Sequence, residues 1–235
     1  LCNNVELSRC SAAEITALGV TATQAVDFLR GDPALEGTKL RTRTTKLGDI
    51  INSNPVIAAK TDNYGYKSLI GNTPGVFDPY NYQAYLTTKL GRRPMVYVGA
   101  NDGMLHAFDG ETGVETFAYI PSTALGHMGN LLFPYNTALG NDQKFQHRYF
   151  VDGPVTVSDI RTGTTWRTAL VGTAGAGGRG VFALDVSSPA TFSASNVLWE
   201  ISDDVSGTTG QRIGHVLGKP LIVPTKNGTA APVWK

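Results

Sequence analysis

Val98-Gly99 leads into Leu105-His106-Ala107-Phe108-Asp109, and Val171-Gly172 leads into Val181-Phe182-Ala183-Leu184-Asp185. The second phrase repeats the first at a spacing of 73 residues (Gly99 to Gly172) that drifts to 76 (Ala107 to Ala183). Around both copies the pattern is β. Runs rich in Val, Ile, Phe and Tyr lie at 55–59, 95–98, 104–108 and 115–120, then at 154–159, 166–171, 181–185 and 197–201. Gly, Asn, Asp or Pro bounds each run, as expected of short strands. The first runs open alike, with Asn54-Pro55-Val56-Ile57, Gly153-Pro154-Val155-Thr156 and Lys219-Pro220-Leu221-Ile222. A third series therefore begins at 220–223 and resumes at 232–234. A four-stranded unit repeated at this scale is a propeller blade, and a blade needs neighbours to bury its faces. The predicted fold is all-β, a partial β-propeller of two blades plus the start of a third. Its Pro-led first strands line the central channel. Blade A covers about 47–120 with an insertion at 60–94, blade B about 149–202, and blade C starts in about 216–235. A closed ring needs more blades, so the remaining ones are expected beyond Lys235, and the chain is read as part of a longer protein.

Residues 1–40 read differently, as a helical lead-in to the propeller at 41–235. Ser11 with Glu14 and Thr21 with Gln24 both have capping-box spacing, so two short helices are predicted at about 12–18 and 22–30. Cys2 and Cys10 close a short loop here, read as a disulfide from an oxidising compartment, with two unpaired thiols as the alternative.

Composition narrows the function. Glycine is frequent, 27 of 235 residues, and charged residues make up only 17%. Both favour turns and short strands over helices. The net charge of +1 argues against a nucleic-acid partner, and no apolar run is long enough to span a membrane. The basic residues Lys39, Arg41, Arg43 and Lys46 read as a solvated strand face.

Few motifs point to catalysis. Gly175 to Gly180 spells G-x-G-x-x-G, but a strand rather than a helix follows, so no helix N-terminus would face a pyrophosphate. The histidines His106, His127, His147 and His215 show no metalloprotease spacing, and no G-x-S-x-G elbow occurs. Asn101-Asp102-Gly103 is a hairpin signal. Asp102, Asp203 and Asp204 are the candidate metal carboxylates, although the alternating D-x-D-x-D pattern is absent. No catalytic residue and no cofactor is assigned to this stretch. The two insertions carry Tyr64, Tyr66, Tyr80, Tyr82 and Tyr85, then Phe133 and Tyr135. Such clusters form either a partner-binding surface or caps on the propeller ends. Arg30-Gly31-Asp32 matches the tripeptide that integrins recognise.

Longer phrases carry a family resemblance. Leu47-Gly48-Asp49-Ile50-Ile51-Asn52-Ser53-Asn54-Pro55 is followed in order by 96–109, by Tyr149-Phe150-Val151-Asp152-Gly153, by Trp166-Arg167-Thr168, by 177–186 and by Val197-Leu198-Trp199-Glu200. Together with 28–32, these resemble the PilY/PilC family of type IV pilus tip-associated adhesins and assembly factors. The resemblance implies the C-terminal β-propeller of an exported protein, at the periplasm, outer-membrane surface or pilus tip. It implies minor pilins, the pilus tip and host or abiotic surfaces as partners, with roles in pilus extension, twitching motility and attachment. The family's calcium loop has no match here, so calcium is expected elsewhere in a full-length protein. The phrase from Tyr97 to Gly113 also resembles quinoprotein dehydrogenase repeats, which gives the alternative of a pyrroloquinoline-quinone enzyme. A general envelope-assembly scaffold is the third reading.

Overall fold

The structure is a computed structural model that describes residues 1–3, 7, 8, 10–66, 80–134, 145–203, 212–225 and 233–235. The candidates Tyr135 and Asp204 lie outside the described residues.

Two four-stranded antiparallel sheets dominate. In the first, β1 (Val56–Ala58), β2 (Met95–Gly99), β3 (Leu105–Asp109) and β4 (Glu115–Tyr119) pair in chain order. In the second, β5 (Val155–Thr162), β6 (Thr165–Thr173), β7 (Gly180–Asp185) and β8 (Val197–Ser202) do the same. The up-and-down meander is what tight turns dictate. Gly103, at φ +96° in the β2–β3 turn, takes a conformation that a side chain would resist. A β-bulge interrupts β3–β4 between Ala107 and Phe108, and β7–β8 between Ala183 and Leu184. These positions are equivalent in the sequence repeat, so the irregularity itself is repeated. Asp109 and Asp185 are equivalent too. Each caps the turn after its strand, accepting from the backbone N–H groups of Glu111 and Thr112 or of Ser187.

Alternation decides which face each sheet buries. Met95, Tyr97, Leu105 and Ala107 point from the first sheet toward Val155, Val157, Leu170, Phe182 and Leu184 of the second, forming one core. The stack extends outward through Phe117 on Phe192, with ring centroids 3.8 Å apart and planes 2° from parallel. β5 lies against β1 and β2 on one side and against β10 (Val233–Trp234) on the other. The first strands of the two sheets, β1 and β5, therefore lie side by side. The ring is open: two sheets and the beginning of a third make a partial propeller.

The third unit departs from expectation. Of the predicted strand at 220–223 only Val223 is laddered, and the short strand is β9 (Pro224–Thr225), paired with β10. Val223 and Lys235 continue this pairing with two backbone hydrogen bonds. Residues 220–222 have other partners, since Thr156 donates to the Pro220 carbonyl and Tyr66 to that of Ile222.

The two N-terminal helices form as predicted, α1 over Ala12–Ala17 and α2 over Ala22–Leu29, each with its reciprocal capping box. α2 buries Ala25, Phe28 and Leu29 in the main core. Residues 41–46 form no strand. Arg43 instead pairs with Glu36, donates to the Phe28 carbonyl and stacks on the Phe28 ring. Helices α3 (Tyr82–Lys89) and α4 (Ser122–Leu125) were not anticipated.

Candidate functional site

The opening phrase 47–55 is structural wiring between the two sheets. Gly48 N–H donates to the Asp102 carboxylate at 2.8 Å, and Asn101 donates through its backbone and its side chain to Asp49. Asp152, wholly buried, accepts from the backbones of Ile51 and Asn52 at 3.3 and 3.0 Å. The Asn101 side-chain oxygen accepts from Phe150 N–H, and Ser53 accepts from Gly99 N–H. Three phrases far apart in sequence thus satisfy one another's buried polar groups.

The tyrosines form the second feature. Tyr66 and Tyr82 are buried, and with Trp166 they make a separate aromatic core against which Tyr64, Tyr80, Tyr85 and Trp234 pack. This corrects the reading of Tyr66, Tyr82 and Phe133 as partner-binding surface, because all three point inward. The reason is amphipathic. A tyrosine hydroxyl can be buried wherever it finds a partner, and here Tyr66 meets Ser158 at 2.8 Å and Tyr82 donates to Asp159 at 2.8 Å. Tyr64, Tyr80 and Tyr85 are half-buried on the same cluster. The cluster pins the first insertion to β5 and β6.

At its centre lies a buried ion pair that sequence reading missed. Lys89 at the end of α3 reaches both oxygens of Asp159, at 3.0 and 2.9 Å. Thr168 donates to the same carboxylate, and Arg92 donates to Thr168 and to Tyr85. A signal existed: Tyr82, Tyr85, Leu86 and Lys89 recur at helical spacing inside a segment read as loop. The burial of a Lys and an Asp against each other left no such trace.

A groove of about 520 Å³ opens between the α2 end and the outer face of β3 and β4, lined by Arg30, Gly31, Lys46, Asp102, His106 and Glu115 among others. His106 is held between two carboxylates, Glu115 at 2.6 Å and Asp102 at 3.1 Å. Burial alone would lower its pKa, but the two acids outweigh it and hold the imidazole above its ordinary value. Both ring nitrogens face acids, so neither is placed to activate a nucleophile. Arg30 and Asp32 are exposed at the groove's edge, and Asp32 accepts from Ala34 N–H at 2.9 Å.

The metal candidates do not fit calcium. Asp102 is occupied by Gly48 N–H, Met104 N–H and His106. Asp203 pairs with Arg179 at 3.0 Å and lies 3.9 Å from Arg212. A calcium ion needs six or more free oxygen ligands. Among the described residues no group of three or more acidic, His or Cys side chains could hold a metal. Cys2 and Cys10 form a disulfide. The segment from Gly175 runs through a short 3₁₀ turn into β7, so no helix N-terminus faces a phosphate there.

His127 is buried and stacked on Phe150, with ring centroids 4.5 Å apart. Burial, helped by the nearby Arg148 charge, lowers its pKa to about 4, and the backbone of Tyr149 and Gly177 offsets only part of this. Neither ring nitrogen has a well-formed hydrogen bond. A histidine with a depressed folded pKa contributes no loss above its unfolded value and an increasing loss as pH falls below it. Between pH 8 and pH 5 the expected cost is about 2 kcal/mol. Urea unfolding of wild type and His127→Gln across this range checks it: the variant should lack this component of the acid-side loss, and equal slopes would refute it.

Residues 47–234 match the family described as the PilY1 beta-propeller domain. The type IV pilus biogenesis factor PilY1 homolog of Xylella fastidiosa (strain Temecula1) is 43% identical over 222 residues, which span 92% of this chain and 14% of that protein. The type IV pilus biogenesis factor PilY1 of Pseudomonas aeruginosa (strain PAK) is 41% identical over 209 residues, 88% of this chain and 16% of the relative. The crystal structure of the Pseudomonas aeruginosa PilY1 C-terminal domain aligns with a TM-score of 0.50 at 32% identity, over 76% of this chain and 30% of that one. Among the described residues no helix is long and apolar enough to cross a membrane. By the order of its phrases, the topology of its sheets and its sequence identity alike, the chain belongs to the PilY1 β-propeller family.

Proposed function

We propose that this chain is a non-enzymatic binding segment of a type IV pilus assembly and tip protein, exported to the periplasm, the outer-membrane surface or the pilus tip. The observation that carries the reading is 41–43% identity, over about nine-tenths of the chain, to proteins named type IV pilus biogenesis factors. The site chemistry supports it. The buried carboxylate of Asp152 holds the entry phrase, that of Asp159 holds the first insertion to the second sheet, and His106 faces only acids. Minor pilins and the pilus tip are the proposed partners, with host or abiotic surfaces as contacts made by the assembled tip. The exposed Arg30-Gly31-Asp32 corner is the proposed candidate for attachment. No cofactor is assigned to this segment, and any calcium control is placed in the rest of such a protein.

Excision of the segment from the full-length gene tests the reading, with surface pili counted and twitching zones measured. Both should fall, and unchanged piliation would overturn the proposal. Asp32→Ala should reduce attachment to integrin-bearing cells while leaving pili intact. Dye-linked alcohol oxidation by the purified protein with pyrroloquinoline quinone and calcium would instead establish the enzyme alternative.

A further inference from the structure

The aromatic core holds its ion pair in an arrangement suited to a chemical step. The Lys89 and Asp159 side chains are 3% and 0% exposed. The Lys89 nitrogen lies at nearly equal distance from the two Asp159 oxygens, 3.0 and 2.9 Å. A further donation to the Asp62 carbonyl, at 2.9 Å, fixes the amine's orientation. The carboxyl also receives two hydroxyl donors, Tyr82 on one oxygen and Thr168 on the other, each at 2.8 Å. The Tyr64 ring covers the amine, 4.6 Å from its centroid.

We propose that Lys89 and Asp159 condense spontaneously into an intramolecular amide, a covalent staple between the first insertion and the second sheet. In the first step the ammonium passes one proton to the carboxylate in contact with it, leaving a free amine as nucleophile and a carboxylic acid as electrophile. The Lys89 nitrogen lone pair then attacks the Asp159 carboxyl carbon and forms the C–N bond. Tyr82 and Thr168 donate to the oxygens of the tetrahedral intermediate, where negative charge develops. The C–OH bond breaks, the departing hydroxide takes the proton lost by nitrogen, and one water leaves. Ammonium plus carboxylate gives amide plus water, so no oxidant, reductant or further reactant is required. Fixed proximity supplies the rate, because two groups locked in contact react at a very high effective concentration. Release of water from a dry site favours the product. The link would join residues 70 positions apart, across the joint where the insertion meets β5. Noncovalent contacts there would otherwise carry any pull on the chain.

Mass spectrometry of the full-length protein, purified from its own cells, tests this. The expected result is a protein lighter by one water, beyond the hydrogens lost to disulfides. Trypsin should leave a branched peptide joining Lys89 to Asp159, with no cleavage after Lys89. Lys89→Arg should restore the unmodified mass, and Tyr82→Phe should slow the conversion in freshly made protein. Wild-type protein that yields Lys89 and Asp159 in separate linear peptides overturns the proposal, whatever the variants do. So does a water loss that maps to any other residue.

Discussion

In freshly made protein, before Lys89 and Asp159 are joined, Asp159→Ala is expected to destabilise the fold relative to wild type by about 3–5 kcal/mol, the range for removing one partner of a buried ion pair. Asp159 is wholly buried, and the substitution strands the Lys89 ammonium in the aromatic core with the Asp62 carbonyl as its one close acceptor among the described residues. It also removes one acceptor each from Tyr82 and Thr168, although Tyr82 keeps the Asn63 carbonyl and Thr168 keeps Tyr85 and Arg92. The damage should be local at first: α3 and the tyrosines lose their hold on β5 and β6 before the main core opens. Urea unfolding gives the magnitude, and proteolysis of the insertion gives the location. A loss below about 1 kcal/mol would mean that the pair behaves as an exposed one, and the burial argument would fail.

Gly99→Ala should cost about 3 kcal/mol or more, at or above the upper end of ordinary overpacking. Gly99 ends β2 where the first sheet meets the chain entering the second. A Cβ there would lie 2.0 Å from the Val151 carbonyl oxygen, a backbone atom. Neither side can retreat easily. Gly99 N–H is bound to Ser53, Val151 N–H reaches Ala100, and the adjacent Asp152 is clamped to Ile51 and Asn52. Gly91→Ala is the matched control, since its Cβ would meet only the Thr88 carbonyl, at an ordinary 3.6 Å. Thermal melts of the two variants should separate clearly, and equal melting temperatures would refute the claim that the sheets touch through backbone at Gly99.

Gly99 also shows why the repeat was legible. Backbone contact at Gly99 and the Phe182 ring against its repeat partner Gly172 both exclude a side chain, so glycine recurs in the repeat for two different local reasons. The same holds for the Asp109 and Asp185 turn caps, whose short side chains must meet N–H groups two or three residues on. Local rules of this kind depend on near neighbours in the chain. They placed eight strands and two capped helices close to where they lie.

Non-local partners account for what sequence reading got wrong. The tyrosines of the insertion read as surface because nothing in their neighbourhood announces Ser158, Asp159 or Thr168, some eighty or ninety residues away. Residues 220–223 read as a strand on propensity, but laddering needs a partner, and among the described residues β10 with Lys235 pairs with 223–225, which leaves 220–222 outside the ladder. The sequence by itself determined the alternation of apolar faces, the turns and the blade-like repeat, because each follows from conformational preferences within a few residues. Only the tertiary structure decided that Lys89 and Asp159 meet, that the aromatic cluster faces inward, and that Asp102 and Asp203 are occupied by internal partners. Burial and charge pairing depend on which distant segments share the same space, and that is settled only when the sheets stack.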